Sequence, residues 1–181
     1  MIFENLAIFG FKLKKRVYRS IIGKARAEGV YFMEETDEGP VLAPAINLTG
    51  KRILVVDDNK INMEVMAGLL RELGYAVDTA SSGEECLKKF SESEDGTYGL
   101  IFMDLHMPGT DGFSASQLIR NMPRSDAKFV SIAALTGDDS EDILEQCAVA
   151  GMDSYILKPA TKESVSLLID GGNPLGKQSK E

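Results

Sequence analysis

A chain of 181 residues holds about one ordinary domain and an appendage, long enough to bury a core of its own. With 44% hydrophobic and 27% charged residues it has the make-up of a soluble globular protein, and no run approaches the roughly 18 to 20 apolar residues of a membrane span. The net charge of -8 hides two opposed regions: in residues 1–33 seven basic side chains (Lys12, Lys14, Lys15, Arg16, Arg19, Lys24, Arg26) face only Glu4 and Glu28, while the remainder is acidic, which excludes a nucleic-acid footprint beyond the first thirty residues.

The opening apolar residues Ile2, Phe3, Leu6, Ile8 and Phe9 precede the basic cluster, the reverse of a signal peptide, so a cytoplasmic location is expected. Phe9, Leu13, Val17, Ile21 and Ala25 recur every fourth position among lysines and arginines, which predicts a basic amphipathic helix over residues 6–27. Ser20 falls where a heptad counted from Leu6 and Leu13 needs an apolar residue, so a sustained coiled coil is not expected. Such a helix suits packing on its own or a neighbouring subunit, or binding to an anionic membrane surface. Residues 34–50, with four acids, Gly39, Pro40 and Pro44, read as a linker. The expected organisation is therefore a helix and linker over 1–50, a folded body over 51–170 and a flexible tail over 171–181.

From Lys51 onward short apolar runs alternate with amphipathic helical patterns. Strands are expected near 52–56, 76–80, 99–103, 129–135 and 154–157, spaced by about one strand plus a crossover helix. Five such units predict an α/β fold with a doubly wound five-stranded parallel sheet and an N-terminal helical extension. The first helix follows Asp58-Asn59, carries Ile61, Val65, Leu69 and Leu73 at every fourth position, and stops at Gly74. The second starts at Ser81-Ser82 with Glu84 and Glu85 in its first turn, where acids suit the helix dipole. The third runs from about Phe113 to Asn121, ahead of Pro123. The fourth follows Asp138-Asp139-Ser140 with Ile143, Leu144 and Cys147 inward. The fifth begins at Thr161, turns Val165, Leu168 and Ile169 inward and ends early at Gly171-Gly172. Cys86 and Cys147 fall in predicted helices without metal-type spacing and read as buried thiols of a reducing compartment.

The polar residues with chemical potential lie just past the ends of the apolar runs: Asp57-Asp58, Asp104, Thr136 and Lys158-Pro159. In an open parallel sheet those ends share one rim, where ligands bind. Adjacent carboxylates repel one another unless a cation sits between them, and Mg2+ suits a few carboxylates with a phosphate. Each residue alone has an ordinary reading: Asp58 or Asn59 as a helix cap, Thr136 as a β-branched strand end, Lys158 as a surface lysine, His106 as a surface or packing residue.

Taken together in this order, with the loop Met103-Asp104-Leu105-His106-Met107-Pro108-Gly109-Thr110-Asp111-Gly112, they resemble the receiver domain of response regulators in two-component signalling. The segments Val56–Asn62 and Leu105–Pro108 look most like receivers attached behind hybrid histidine kinases. The resemblance covers residues 51 to about 170 and implies a flavodoxin-like strand order 2-1-3-4-5. It implies Asp104 as the phosphoacceptor, with Mg2+ held by Asp57, Asp58, Asp104 and the backbone carbonyl of His106. Thr136 and Lys158 would bind the phosphoryl group, Tyr155 would turn inward behind the threonine, and the Lys158–Pro159 bond would be cis. His106 and Asp138, each two residues past a site residue, would border the path of hydrolytic water. The output surface would be the fourth helix, fifth strand and fifth helix, with the short fifth helix a departure.

The function so implied is a phosphoryl-accepting module that promotes its own phosphorylation and dephosphorylation rather than an enzyme acting on an external substrate. Its partners would be a sensor histidine kinase or a histidine phosphotransfer protein, with a second copy of the chain as a further candidate. Without kinase motifs, and with eleven residues after Asp170, a phosphorelay intermediate is the natural expectation. Two alternatives compete: a scaffold acting through its basic N-terminal helix on a partner or anionic lipid, and an aspartyl-phosphate phosphatase. Phosphatases of the haloacid-dehalogenase type want an acid two residues after the nucleophile, where this chain has His106.

Overall fold

The computed structural model describes residues 30–32, 35–36, 39–40, 46–138 and 140–170. The helix expected over 6–27 and the tail over 171–181 lie outside the described residues. In chain order the elements are β1 (Val30–Phe32), β2 (Glu35–Thr36), β3 (Gly39–Pro40), β4 (Arg52–Val56), α1 (Lys60–Glu72), β5 (Ala76–Ala80), α2 (Gly83–Glu92), β6 (Tyr98–Asp104), α3 (Gly112–Arg120), β7 (Ser131–Thr136), α4 (Glu141–Val149), β8 (Ser154–Leu157) and α5 (Lys162–Ile169). Strands β5, β4, β6, β7 and β8 pair in parallel in that spatial order, the 2-1-3-4-5 arrangement of a doubly wound sheet. Among the described residues no helix is long and apolar enough to cross a membrane.

Both faces of the sheet are covered, and the strand sequences show why. Successive side chains of a strand point to opposite faces, so a strand buried on both sides needs an unbroken apolar run. In β4, Leu54 and Val56 enter one core with Ile101 and Met103 of β6, Phe90 of α2 and Ile119 of α3. Ile53 and Val55 enter the other with Leu100 and Phe102, Leu70 of α1 and Leu168 of α5. Each such side chain, fully buried, contributes roughly 1.5–3 kcal/mol relative to exposure.

Helix ends are set by side chains and glycines. Asn59 caps α1, accepting from the N–H groups of Ile61 and Asn62, and Thr161 with Ser164 forms a capping box on α5. Gly74, at φ 90°, closes α1 in a Schellman turn: its N–H donates to the Arg71 carbonyl, and that of Tyr75 to Leu70. Gly151 closes α4 the same way, with bonds to Ala148 and Cys147.

Three sequence expectations need correction. The predicted strand over 129–135 starts later, at Ser131, because the N–H groups of Phe129 and Val130 turn back to the Asp126 carbonyl and leave Phe129 84% exposed. The every-fourth series on α1 does not mark one buried face: Ile61 is 75% and Val65 63% exposed, whereas Met66, Ala67 and Leu70 are buried. Positions four apart advance 400° on a 3.6-residue helix, so the series winds around α1, from exposed Ile61 and Val65 to Leu69 and Leu73, which pack on the core. Residues 34–50 are not all linker. β2 and β3 pair antiparallel, Ile46 donates its N–H to the Ile169 carbonyl, and Ile46 and Leu48 pack on the core beneath α1 and α5.

Just before that segment lies a strand the sequence analysis missed. β1 pairs antiparallel with β8, placing Val30 opposite Ile156, Tyr31 opposite Tyr155 and Phe32 opposite Ser154. It makes the sheet six-stranded and occupies the outer edge of β8.

Candidate functional site

The ends of β4, β6, β7 and β8 meet on one rim. Asp57 follows β4 and is 1% exposed, Asp104 is the last residue of β6 and also buried, and Asp58 beside them is exposed. One carboxylate oxygen from each of Asp57, Asp58 and Asp104 lies within 4.8 Å of the others. Lys158, one residue past β8, spans the cluster: its Nζ is 2.9 Å from Asp57 Oδ2 and 3.0 Å from Asp104 Oδ1. Burial works to lower the pKa of that ammonium, but the hydrogen bonds and charges of Asp57 and Asp104 outweigh it and leave it raised. The Lys158–Pro159 bond is cis.

The neighbours of these residues settle several ordinary readings. Asn59 performs the capping of α1, so neither aspartate is committed to it. Asp57 Oδ1 instead accepts from the Asn59 N–H at 2.9 Å and from Asn62 Nδ2 at 3.4 Å, which fixes the carboxylate's orientation. Thr136 is buried, and its hydroxyl both donates to the Asp138 carbonyl and accepts from the Asp138 N–H, each at 3.0 Å. Beside it, a Cβ added at Gly137 would meet nothing within 4 Å, so the space there is open. Tyr155 is buried in β8 on the α2–α3–α4 side of the sheet, while His106 and Asp138 are exposed near the rim.

The loop after Asp104 is held from two sides, and only the second, a tether from α2, went unanticipated in the sequence. A Cβ on Gly112 would stand 2.2 Å from the Asp104 carbonyl oxygen, so only glycine permits this close return, and the Gly112 N–H donates to the Leu105 carbonyl. Across the sequence, Glu84 of α2 accepts from the Thr110 N–H at 2.7 Å and from its hydroxyl at 2.6 Å. These bonds hold the Glu84 carboxyl down to about 2. The only hint in the sequence was an acid in the first turn of α2, which has a sufficient local explanation in the helix dipole.

Three carboxylates form a hard, oxygen-only donor set, the chemistry Mg2+ prefers, with an ammonium already balancing part of their charge. The family model described as the response regulator receiver domain matches residues 53–170. This chain belongs to that family. The chain is 35% identical over 142 residues to "Hybrid signal transduction histidine kinase L" of Dictyostelium discoideum, a match covering 75% of this chain but 8% of the relative. The chain thus spans under a tenth of that relative's length. Among solved structures, the receiver domain of a sensor histidine kinase from Pseudomonas aeruginosa PAO1, with a magnesium ion coordinated in its active-site cleft, superposes with a TM-score of 0.59 at 32% identity. That match covers 66% of this chain and 94% of the other. A co-crystal of the Saccharomyces cerevisiae histidine phosphotransfer protein Ypd1 with the receiver domain of its downstream response regulator Ssk1 contains a chain matching at a TM-score of 0.57 and 28% identity, covering 66% and 86%. The receiver is therefore a module of two-component and phosphorelay signalling, and its homologues include receivers of hybrid histidine kinases.

Proposed function

We propose that this receiver takes a phosphoryl group from a phosphohistidine onto Asp104 and changes its protein contacts as a result. The observation that carries the reading is the single ammonium of Lys158 bridging Asp57 and Asp104 within the acidic cluster. An Asp104 oxygen attacks phosphorus, and a P–O bond forms as the P–N bond to the donor imidazole breaks. The electron pair leaves with the imidazole, which takes up a proton from solvent. Mg2+ bound by Asp57, Asp58, Asp104 and the His106 carbonyl would neutralise charge on the transferring oxygens. The chain's own part is positioning: the Gly112 return and the Glu84–Thr110 tether fix the loop behind the nucleophile.

The switch follows from two residues whose present partners can be exchanged. Lys158 turns from the bare carboxylates to a phosphoryl oxygen, and the Thr136 hydroxyl leaves the Asp138 backbone to donate to another. Tyr155, on the adjacent strand, responds to the space Thr136 vacates. Because only differential affinity shifts an equilibrium, these new bonds are what favours the second arrangement. His106 and Asp138, both exposed, border the approach of hydrolytic water. The donor is a histidine kinase or phosphotransfer protein. The exposed Ile61 and Val65, one turn apart on the helix that starts beside Asp57, offer an apolar face for it.

Incubation with a small phosphodonor and Mg2+ should give a hydroxylamine-labile adduct on Asp104, absent from Asp104→Asn and strongly reduced by chelation. Labelling that persists in Asp104→Asn would remove the assignment. Transfer from a phosphorylated histidine phosphotransfer protein should slow in Ile61→Asp, while labelling by the small donor should not.

A further inference from the structure

Between α3 and α4, on the side of the sheet away from α1 and α5, runs an open groove of about 570 Å³. Its apolar lining includes Phe113 and Val149, the latter 72% exposed, and its acidic lining is Asp111, Asp142 and Glu145. Asp142 and Glu145 stand three positions apart on α4 and so share one helical face. None of these residues takes part in the acidic cluster around Asp104.

We propose that the groove is the docking site of the chain's own basic segment, residues 6–27. Two independent observations support this occupant. The first is complementarity. The segment contains seven lysines and arginines and no acid, and its apolar positions Leu13 and Val17 are flanked by Lys12, Arg16 and Arg19 at i, i+4 and i+7. That pattern mirrors the two apolar side chains and the acids of the groove. The second is the direction of the chain. β1 runs antiparallel to β8 with Val30 opposite Ile156 and Phe32 opposite Ser154, so the Val30 end of β1 is the one nearer the rim. α3 and α4 both begin on that rim, after the ends of β6 and β7.

The reach is sufficient. Past the last contacting position, Arg19, residues 20–27 as helix would span about 12 Å and residues 28–29 extended about 7 Å more, taking roughly 1.5 and 3.3 Å per residue. The groove lies about two strand spacings and one packing layer from β1, roughly 14 Å. Entering from the rim, the segment sets Arg16 and Arg19 near Asp142, Lys12 near Glu145, and Leu13 and Val17 against Phe113 and Val149. The receiver then covers its own α3–α4 face with its own basic segment, a contact that needs no phosphoryl group.

Zero-length carbodiimide cross-linking of the full chain tests this directly. A mixture of isotopically labelled and unlabelled protein separates links within a chain from links between chains. The expected product joins Lys12 to Glu145 or Asp142 within one chain. Tryptic cleavage after Arg16 and Arg19 should be about tenfold faster in Asp142→Lys/Glu145→Lys, whose changes lie at exposed positions the fold tolerates. Protection should return when Lys12→Glu is combined with Glu145→Lys. The proposal is overturned by links between chains, by no links from the segment to α4, or by cleavage rates indifferent to the reversal. It is equally overturned if vesicles containing phosphatidylserine abolish the intramolecular link at physiological salt, because the partner of the basic segment would then be a lipid surface.

Discussion

Replacing Lys158 with methionine removes the cation shared by Asp57 and Asp104 while keeping the length of the side chain. At about 3 Å and an effective dielectric constant of about 20, each contact is worth up to roughly 5 kcal/mol before desolvation is subtracted. Breaking a fully buried pair from one side costs about 3–5 kcal/mol. The lysine side chain here retains 28% of its exposure, and Asp58 is open to solvent, so screening reduces the expected loss to about 2 kcal/mol. Urea unfolding of Lys158→Met without divalent cation should show that loss as a lower midpoint with unchanged slope. Saturating Mg2+ should restore most of it, and the Mg2+ affinity of the variant should rise about tenfold, since a competing positive charge is gone. Because the folded pKa of Lys158 is raised, its contribution is complete below the ordinary value of 10.5 and disappears as pH rises through the folded value. Parent and variant should therefore converge in strong alkali. A variant that is as stable as the parent without Mg2+, or that binds Mg2+ more weakly, would refute the argument.

Further outcomes follow from side chains that brace the fold and from those that support the site. Arg120 donates to the carbonyls of Ala127, Val130 and Gly151 and to Asp153, so Arg120→Met should lower unfolding stability by about 3 kcal/mol; Arg120→Lys should recover less than half, lacking the planar fork. Gly112→Ala forces the Asp104 carbonyl aside and should slow small-donor labelling at least about tenfold, measured as an initial rate, with a stability loss of about 2 kcal/mol. Glu84 should titrate near 2 by carboxyl-carbon NMR, and Thr110→Val should bring it back toward 4.5. With the folded pKa depressed, the tether is complete above about 4.5 and is lost as pH falls through about 2, so neutral-pH labelling should not vary with the ionisation of Glu84.

The parallel strands were legible because burial on both faces demands unbroken apolar runs, and runs such as Ile53–Val56 and Leu100–Met103 have no competing reading. The rim residues were legible for a related reason: a carboxylate, hydroxyl or lysine directly after such a run has few places to go. What pairs with them was not, since Lys158 meets Asp57 across 101 residues of sequence. The Glu84–Thr110 tether spans 26 residues and leaves no periodic trace. On α1 the spacing rule misled, because exact fourth positions precess around a helix whose inward face is marked by Met66, Ala67 and Leu70. β1 escaped notice because three residues are too few to show alternation, and an acidic stretch follows at once.

That small strand has an architectural consequence. A parallel sheet ordinarily presents a bare hydrogen-bonding flank at its last strand, an invitation to end-on templating by other chains. Here the flank beyond β8 is already stoppered by residues 30–32, so any ligand that recognises the receiver by strand addition on that side must first evict a piece of the same polypeptide.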